Sequence, residues 1–350
     1  MRTRITTISI PCLLVLFTSL PASVAGQYGE PETISTFSIV GFDPENGDMG
    51  VAVQSKYFAV GSVVPWGRPG VGVMATQAAA NNGYGPKALW LMAERGLTPE
   101  ETAERLLAED IFPRKEGRQF AIVDTEGNVA VHTGPEASNW AGHRTGPYYA
   151  ASGNLLAGPE VVEAMGDAFE ETEGELAERL MRALEAGQVE GGDRRGMQSA
   201  AIMVIRKDGG RGLDNDYYIR LQVDDALDPI AELRRLLNLQ FSMTILSSAR
   251  NLIQEGRIEE GAEQINRVLE LSPQWPDGHL AHGFLLYIQD QRMEALRAME
   301  TARDLPGRYY GFEDLFNNQS GWTSAHERVL QDAEFIERLF PDGRGSGGGM

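Results

Sequence analysis

Between residues 36 and 240 strand-like runs and helix-like runs both come in pairs, and beyond Phe241 the strands stop. Thr36–Phe42 and Met49–Ser55 are short β-prone runs joined by Asp43-Pro44-Glu45-Asn46-Gly47-Asp48, and Asn46-Gly47 is a strong hairpin signal. Val71–Thr76 reads as a strand followed directly by a helical pattern through Arg95. The next helix opens at Thr98-Pro99-Glu100-Glu101, with Thr98 as N-cap, Pro99 at the first position and Glu101 closing a capping box. Phe120–Val123 and Val129–His132 form a hairpin around Glu126-Gly127-Asn128. Tyr148–Ser152 is a strand, and two acidic helices follow across about 159–187. Ser199–Ile205 and Tyr217–Val223 are strands again, and Asp228-Pro229 starts a helix that runs to about Leu239. Paired hairpins interleaved with paired helices imply a layered α+β domain and exclude a simple βαβ repeat.

The segment 242–307 repeats at 34 residues. Ala249 aligns with Gly283, Leu252 with Leu286, Gly261 with Ala295, Ile265 with Met299 and Val268 with Ala302. Small residues at such places let two helices cross closely, and the period and residue types resemble the tetratricopeptide repeat. Gly256 and Pro273 mark the turns of the first copy, whereas Asp290 replaces the glycine of the second and Pro306 closes it one position early. Two copies are fewer than usually stand alone, so the pair is expected to lean on the first domain or on a helix near Thr323–Leu339.

The two ends read differently. Arg2 and Arg4, the apolar run Ile8–Phe17 and Ser23-Val24-Ala25 have the form of an export signal over 1–25. The run is too short to span a bilayer, and no later stretch reaches the ~20 apolar residues a membrane helix needs. Periplasmic or extracellular export is therefore expected. The only cysteine, Cys12, falls inside that leader, so the body has no thiol nucleophile and no cysteine metal site. The net charge of −19 becomes −21 without Arg2 and Arg4, which disfavours nucleic acid and anionic lipid as partners. The division expected is a signal at 1–25, a short pro-segment or linker at 26–35, an α+β domain at 36–240, helical repeats with a terminal helix at 241–340, and a disordered tail at 341–350.

No nucleophile elbow, P-loop, HExxH or EF-hand loop is present, and His132, His143, His279, His282 and His326 are not spaced as a metal set. His279 and His282 suit packing in a repeat helix. Asp224-Asp225-Ala226-Leu227-Asp228 has the chemistry for a hard cation, but Asp228 is better explained as an N-cap before Pro229. No cofactor or metal is called for.

Five segments in order resemble one bacterial family, domain of unknown function 1028, across about 35–239. They are Thr36-Phe37-Ser38-Ile39-Val40, Gly50-Val51-Ala52-Val53-Gln54-Ser55-Lys56, Gly70-Val71-Gly72-Val73-Met74-Ala75-Thr76-Gln77, Ser152-Gly153-Asn154-Leu155-Leu156-Ala157-Gly158, and Gly191-Gly192-Asp193-Arg194-Arg195-Gly196-Met197-Gln198-Ser199-Ala200-Ala201. The resemblance implies an N-terminal-nucleophile (Ntn) hydrolase-like αββα four-layer sandwich, here followed by a small all-α tetratricopeptide-like module. It implies no substrate, and fold alone is not function.

In an Ntn enzyme the first residue of the first strand is Thr, Ser or Cys, and its own α-amine, of pKa ~8, is the general base. Thr36 occupies that place, but only a cut between Ser35 and Thr36 would free its amine; otherwise it is a β-branched residue opening a strand. Lys56 ends the second strand, either beside Thr36, lowering its pKa, or solvated. Thr76-Gln77 reads as a strand-to-helix junction able to supply an oxyanion N–H. Asn154 is a second donor or merely a helix cap, and Asn81 and Asn82 are candidate substrate contacts. Asp193, Arg194 or Arg195, and Gln198 line a pocket loop or a solvated one; Trp66 and Trp140 wall the site or belong to the core. Two classes of function follow: an exported amidohydrolase acting on a small molecule or peptide, and a noncatalytic ligand-binding or protein-partner scaffold. A protein partner held through 241–307 fits either, since tetratricopeptide grooves bind extended peptide segments, and Ntn relatives suggest a homodimer.

Overall fold

In the computed structural model the described residues are 33–34, 36–137, 139–305, 311–318, 320–341 and 343. The leader expected over 1–25, most of 26–35 and most of the tail expected at 341–350 lie outside them. One antiparallel sheet contains β1 (Thr33–Ile34), β4 (Pro65–Arg68), β5 (Gly72–Ala79), β6 (Arg118–Asp124) and β7 (Val129–Thr133). The other contains β2 (Thr36–Phe42), β3 (Met49–Ser55), β8 (Ala141–Gly146), β9 (Tyr149–Asn154), β10 (Ser199–Ile205) and β11 (Tyr217–Val223). Its order is β11-β10-β3-β2-β9-β8, while the first sheet runs β1-β5-β6-β7 with β4 also on β5.

Strand alternation assigns each side chain to a layer. Val40, Val51, Val53, Ala150 and Met203 meet Val73, Ala75, Ala121 and Val123 between the sheets. The intervening Phe37, Ile39, Ala52, Ala151, Ile202 and Val204 face α3 (Glu160–Glu171), α4 (Leu176–Val189) and the first turns of α5 (Pro229–Gln254). On the far side of the first sheet, Met74, Phe120 and Ile122 pack on α1 (Tyr84–Arg95) and α2 (Pro99–Ala108). Burial on both faces is why β2, β3 and β10 are almost uninterrupted apolar runs. The local signals act as read: Thr98 and Glu101 close the capping box of α2, and the Asp228 side chain caps α5.

Four boundaries differ from the sequence reading. β5 runs through Thr76 and Gln77 to Ala79, and α1 starts only at Tyr84, so there is no strand-to-helix junction at Thr76-Gln77. Alanines 78–80 look helical from propensity, but cross-strand pairing overrides that preference. β4 and β8, with their few apolar residues, were not foreseen. The domain boundary expected at 240/241 falls inside α5, because nothing from Asn238 to Met243 breaks a helix. The terminal helix expected at Thr323–Leu339 is two, α10 (Thr323–Gln331) and α11 (Ala333–Leu339), with Asp332 capping the second.

The C-terminal part is helical: the end of α5, then α6 (Ile258–Leu271), α7 (Pro276–Ile288), α8 (Arg292–Asp304), α9 (Phe312–Asn317), and α10 and α11. The 34-residue period is visible in its packing. A Cβ on Gly261 would stand 3.2 Å from the Ala249 carbonyl oxygen, and one on Gly283 would stand 3.2 Å from that of Ala295. Each helical pair thus crosses at one small–small contact, with the glycine on the second helix in one copy and on the first in the other. Gly256 and Asp290, also 34 apart, both take left-handed φ, +83° and +59°.

Candidate active site

A row of four polar residues crosses one end of the six-stranded sheet. Asn154 on β9 pairs with Thr36 on β2, Thr36 with Ser55 on β3, and Ser55 with Ser199 on β10. All four are buried. By alternation they share the face of Val40, Val53 and Ala150, which looks into the gap between the sheets. The Thr36 hydroxyl donates to Ser55 Oγ at 3.1 Å, and Asn154 Nδ2 donates to the Thr36 carbonyl at 3.5 Å. Ser199 Oγ is fixed from the side, donating to the Tyr57 carbonyl at 2.5 Å and accepting the Val60 N–H at 3.1 Å.

Behind this row a buried amide network ties the two sheets together. Gln119 Oε1 on β6 accepts from Gln77 Nε2 (2.9 Å) and Asn154 Nδ2 (3.1 Å). Gln119 Nε2 donates to the Gly153 carbonyl (2.8 Å), the Gly142 carbonyl (3.2 Å) and Thr133 Oγ1 (3.0 Å). Ser38 donates to Gln77 Oε1 at 2.7 Å, and Gln77 Nε2 also reaches the Ser152 carbonyl at 3.2 Å. Thr133 Oγ1 in turn meets His143 Nδ1 at 3.0 Å at the exposed rim. Partial desolvation holds the His143 imidazole below its usual pKa. Two backbone outliers frame the end of the sandwich. Ala78 (φ +61°) follows Gln77 and Leu155 (φ +55°) follows Asn154. Left-handed non-glycine residues cost about 1–2 kcal/mol each and gather where function requires an unusual backbone.

The structure separates the residues singled out from the sequence. Thr36 and Asn154 come together. Gln77 lies one step behind, its amide engaged by Ser38, Gln119 and Ser152, and so joins the sheets without pointing at Thr36. Lys56 is a correction: it is exposed, and its ammonium donates to the Met197 carbonyl at 3.1 Å. Ser55 takes the place opposite Thr36, because strand neighbours point to opposite faces. Asp193 is buried and fully occupied, accepting from the Lys56 N–H (3.1 Å), the Arg195 N–H (2.9 Å) and the Arg195 guanidinium (2.9 Å). It staples the 191–197 loop onto the end of β3. Arg194 is exposed, and Gln198 Nε2 donates to Asp225 Oδ1. Asn81 and Asn82 lie in the turn before α1, not on the helix, and Asn81 Oδ1 accepts the Gly83 N–H. Trp66 packs under α1 against Gly85, away from Thr36, and Trp140 is half-buried against the helix layer. His279 hydrogen-bonds the Pro273 carbonyl. Among the described residues no group of three His, Cys, Asp or Glu is placed to hold a metal ion.

Ser38, Ser55, Gln119, Ser152, Thr133 and His143 were missed from the sequence. The available signal was polar residues set among the apolar ones of a strand, as in Phe37-Ser38-Ile39. Two clefts of 530 and 390 Å³ open at the opposite end of the sandwich, around Arg68–Gly70, the β2–β3 turn and the β6–β7 turn. They share no residue with the row at Thr36.

Comparison with known proteins adds sequence relationship to this geometry. No curated protein matches the chain. The crystal structure of a DUF1028-family protein from Silicibacter pomeroyi is similar, at 32% identity and a TM-score of 0.52, over 58% of this chain and 84% of that one. The model of the Family of unknown function (DUF1028) matches residues 36–233. The match therefore opens on Thr36, takes in both sheets apart from β1, and closes in the first turns of α5, so the chain belongs to the Family of unknown function (DUF1028).

Proposed function

We propose that the protein is an exported Ntn-type amidohydrolase with Thr36 as nucleophile. The observation that carries this reading is the row Asn154–Thr36–Ser55–Ser199 at the end of the gap between the sheets, with the Thr36 hydroxyl 3.1 Å from Ser55 Oγ. In the full chain the Thr36 nitrogen is an amide, so the first reaction is on the chain itself. Thr36 Oγ1 attacks the Ser35 carbonyl carbon, the peptide nitrogen takes the hydroxyl proton, and water hydrolyses the resulting ester. The products are a carboxylate at Ser35 and a free α-amine at Thr36. That amine, with pKa ~8, then serves as base for the same hydroxyl against an external amide. Ser55 replaces Lys56 as the group that orients the hydroxyl, and Asn154 Nδ2 donates to the Thr36 carbonyl beside it. The αββα layering supports the reading, and the helical hairpins support a tetratricopeptide-like module that takes a peptide segment of a partner.

Intact mass and N-terminal sequencing of the exported protein test this. Wild-type protein is expected to begin at Thr36, and Thr36→Ala to begin upstream, near Gly26, with an unchanged circular-dichroism spectrum. Folded wild-type protein that also begins near Gly26 would overturn the mechanism. The complete burial of Thr36 favours a second reading in that event, a noncatalytic fold that binds a ligand or partner.

A further inference from the structure

β5 is covered unevenly along the edge that does not face β6. β4 pairs with Gly72–Ala75, and the Thr76 N–H goes to the Val64 carbonyl at 3.1 Å. Beyond that, β1 takes over: Thr33 pairs antiparallel with Ala79 and Ile34 with Ala78. The chain thus leaves one sheet at Ile34 and begins the other at Thr36, with a single residue between. Residues on the acyl side of the Thr36 amide are held by strand pairing to the last two residues of β5.

That edge is rigidly built. Arg118 Nη1 donates to the Ala79 carbonyl at 2.5 Å and Nη2 to the Pro113 carbonyl at 3.2 Å, while Nε donates to Asp110 at 2.8 Å. Asp110 also accepts from the Tyr84 hydroxyl at 2.7 Å. Burial raises the Asp110 carboxyl, but the Arg118 and Tyr84 hydrogen bonds outweigh it and keep it ionised. A buried, charge-assisted clamp therefore fixes the carbonyl at the end of β5, next to the left-handed Ala78. A preorganised strand edge loses little freedom on binding.

Resting on the hydrolase reading above, we propose that the substrate is an extended peptide whose acyl-side backbone adds as a strand to Ala78–Ala79 of β5, where Thr33–Ile34 lies before cleavage. Hydrolysis at Thr36 severs that segment, and its departure uncovers the β5 edge for another chain; the Ala78 carbonyl there keeps the Ala80 N–H and the Ala79 carbonyl keeps Arg118, each with a second lone pair to offer. The edge reads backbone, so it rewards peptides over single-residue amides. In each turnover the acyl carbon passes from the peptide nitrogen to Thr36 Oγ1, that nitrogen leaves with the hydroxyl proton, and water releases the acid and restores the hydroxyl.

The test separates binding from chemistry. In the full chain carrying Thr36→Ala, residues 30–35 are replaced by a site-specific protease sequence and cut, so that the body begins at residue 36 without self-cleavage. Binding of the N-terminally fluorescein-labelled peptide amide Glu-Thr-Ile-Ser, the sequence of 32–35, is read by anisotropy. Its analogue N-methylated at Thr and Ile is expected to bind at least about tenfold more weakly, as loss of strand hydrogen bonds requires. Equal affinity of the two peptides, or no binding by either, overturns the proposal. Whether wild-type protein cleaves itself at Thr36 is read separately and decides only the hydrolase reading.

Discussion

Gln119 is the side chain on which the two sheets depend. It accepts from Gln77 and Asn154 and donates to two carbonyls of the facing sheet, and all of this takes place out of water. Gln119→Leu keeps the volume but leaves two buried amide donors without that acceptor, at about 1–3 kcal/mol each. Urea unfolding should show a midpoint lowered by the equivalent of about 3 kcal/mol with the slope unchanged. Lys56→Met, at an exposed position, should stay within about 0.5 kcal/mol of wild type. An equal effect of the two would show that the network carries no stability. The contrast between Ser55 and Lys56 shows how finely the site was legible. Their strand was readable, but which of two adjacent residues faces Thr36 depends on register, and a shift of one residue reverses every side chain.

At the scale of elements, α5 stands out because one helix belongs to two cores. Ile230, Leu233 and Leu237 pack on the six-stranded sheet, whereas Leu246 and Ala249 pack among the C-terminal helices. Ser242 lies between, buried, and donates to Ser272 Oγ at 2.9 Å. Met243 is exposed on the same turn. Met243→Pro therefore breaks the backbone of this turn, at about 3 kcal/mol for a proline inside a helix, and otherwise removes only the exposed Arg211 contact to Met243 Sδ at 3.3 Å. Calorimetry should resolve two transitions in the variant where wild type shows one; a single transition in both would show that α5 does not couple the two parts. The helical pairs themselves were readable, since Ala249, Gly261, Gly283 and Ala295 repeat at 34 residues and sit at the crossings. Asp290 was readable as a substitute for glycine but not as left-handed; its positive φ shows that the turn geometry, not glycine itself, is what the period keeps.

For the whole molecule, pH acts through imidazoles that are partly desolvated by their neighbours. His132 stacks on Phe120 with ring centroids 5.4 Å apart, and burial lowers its pKa below the usual 6.5, with the neighbouring His143 adding to this and Glu116 opposing it. His143 and His282 are lowered by burial as well. A base whose folded pKa lies below its unfolded value leaves the unfolded chain with more bound protons below 6.5. The stability is thus complete above that pH and falls as pH drops through it. Thermal unfolding should move to lower temperature between about pH 7.5 and about pH 5.5, and His132→Leu should lose part of that shift. An identical shift in the variant would mean that His132 does not contribute.

The sequence by itself determined the local geometry: the hairpin turn at Asn46-Gly47, the cap at Thr98 and the cap at Asp228 act through neighbours a few residues away, and the 34-residue helical period through adjacent helices. It also marked Thr36 and Asn154 as residues of interest, through their place in segments that resemble one family. Tertiary structure alone decided what those residues touch. Asn154 lies 118 positions from Thr36, and Gln119 is 42 from Gln77, so their contacts exist only once two sheets have paired and stacked. Strand pairing also decided that Ala78 and Ala79 end a strand instead of starting a helix, because long-range hydrogen bonds to β6 and β1 outweigh the weak helical preference of alanine.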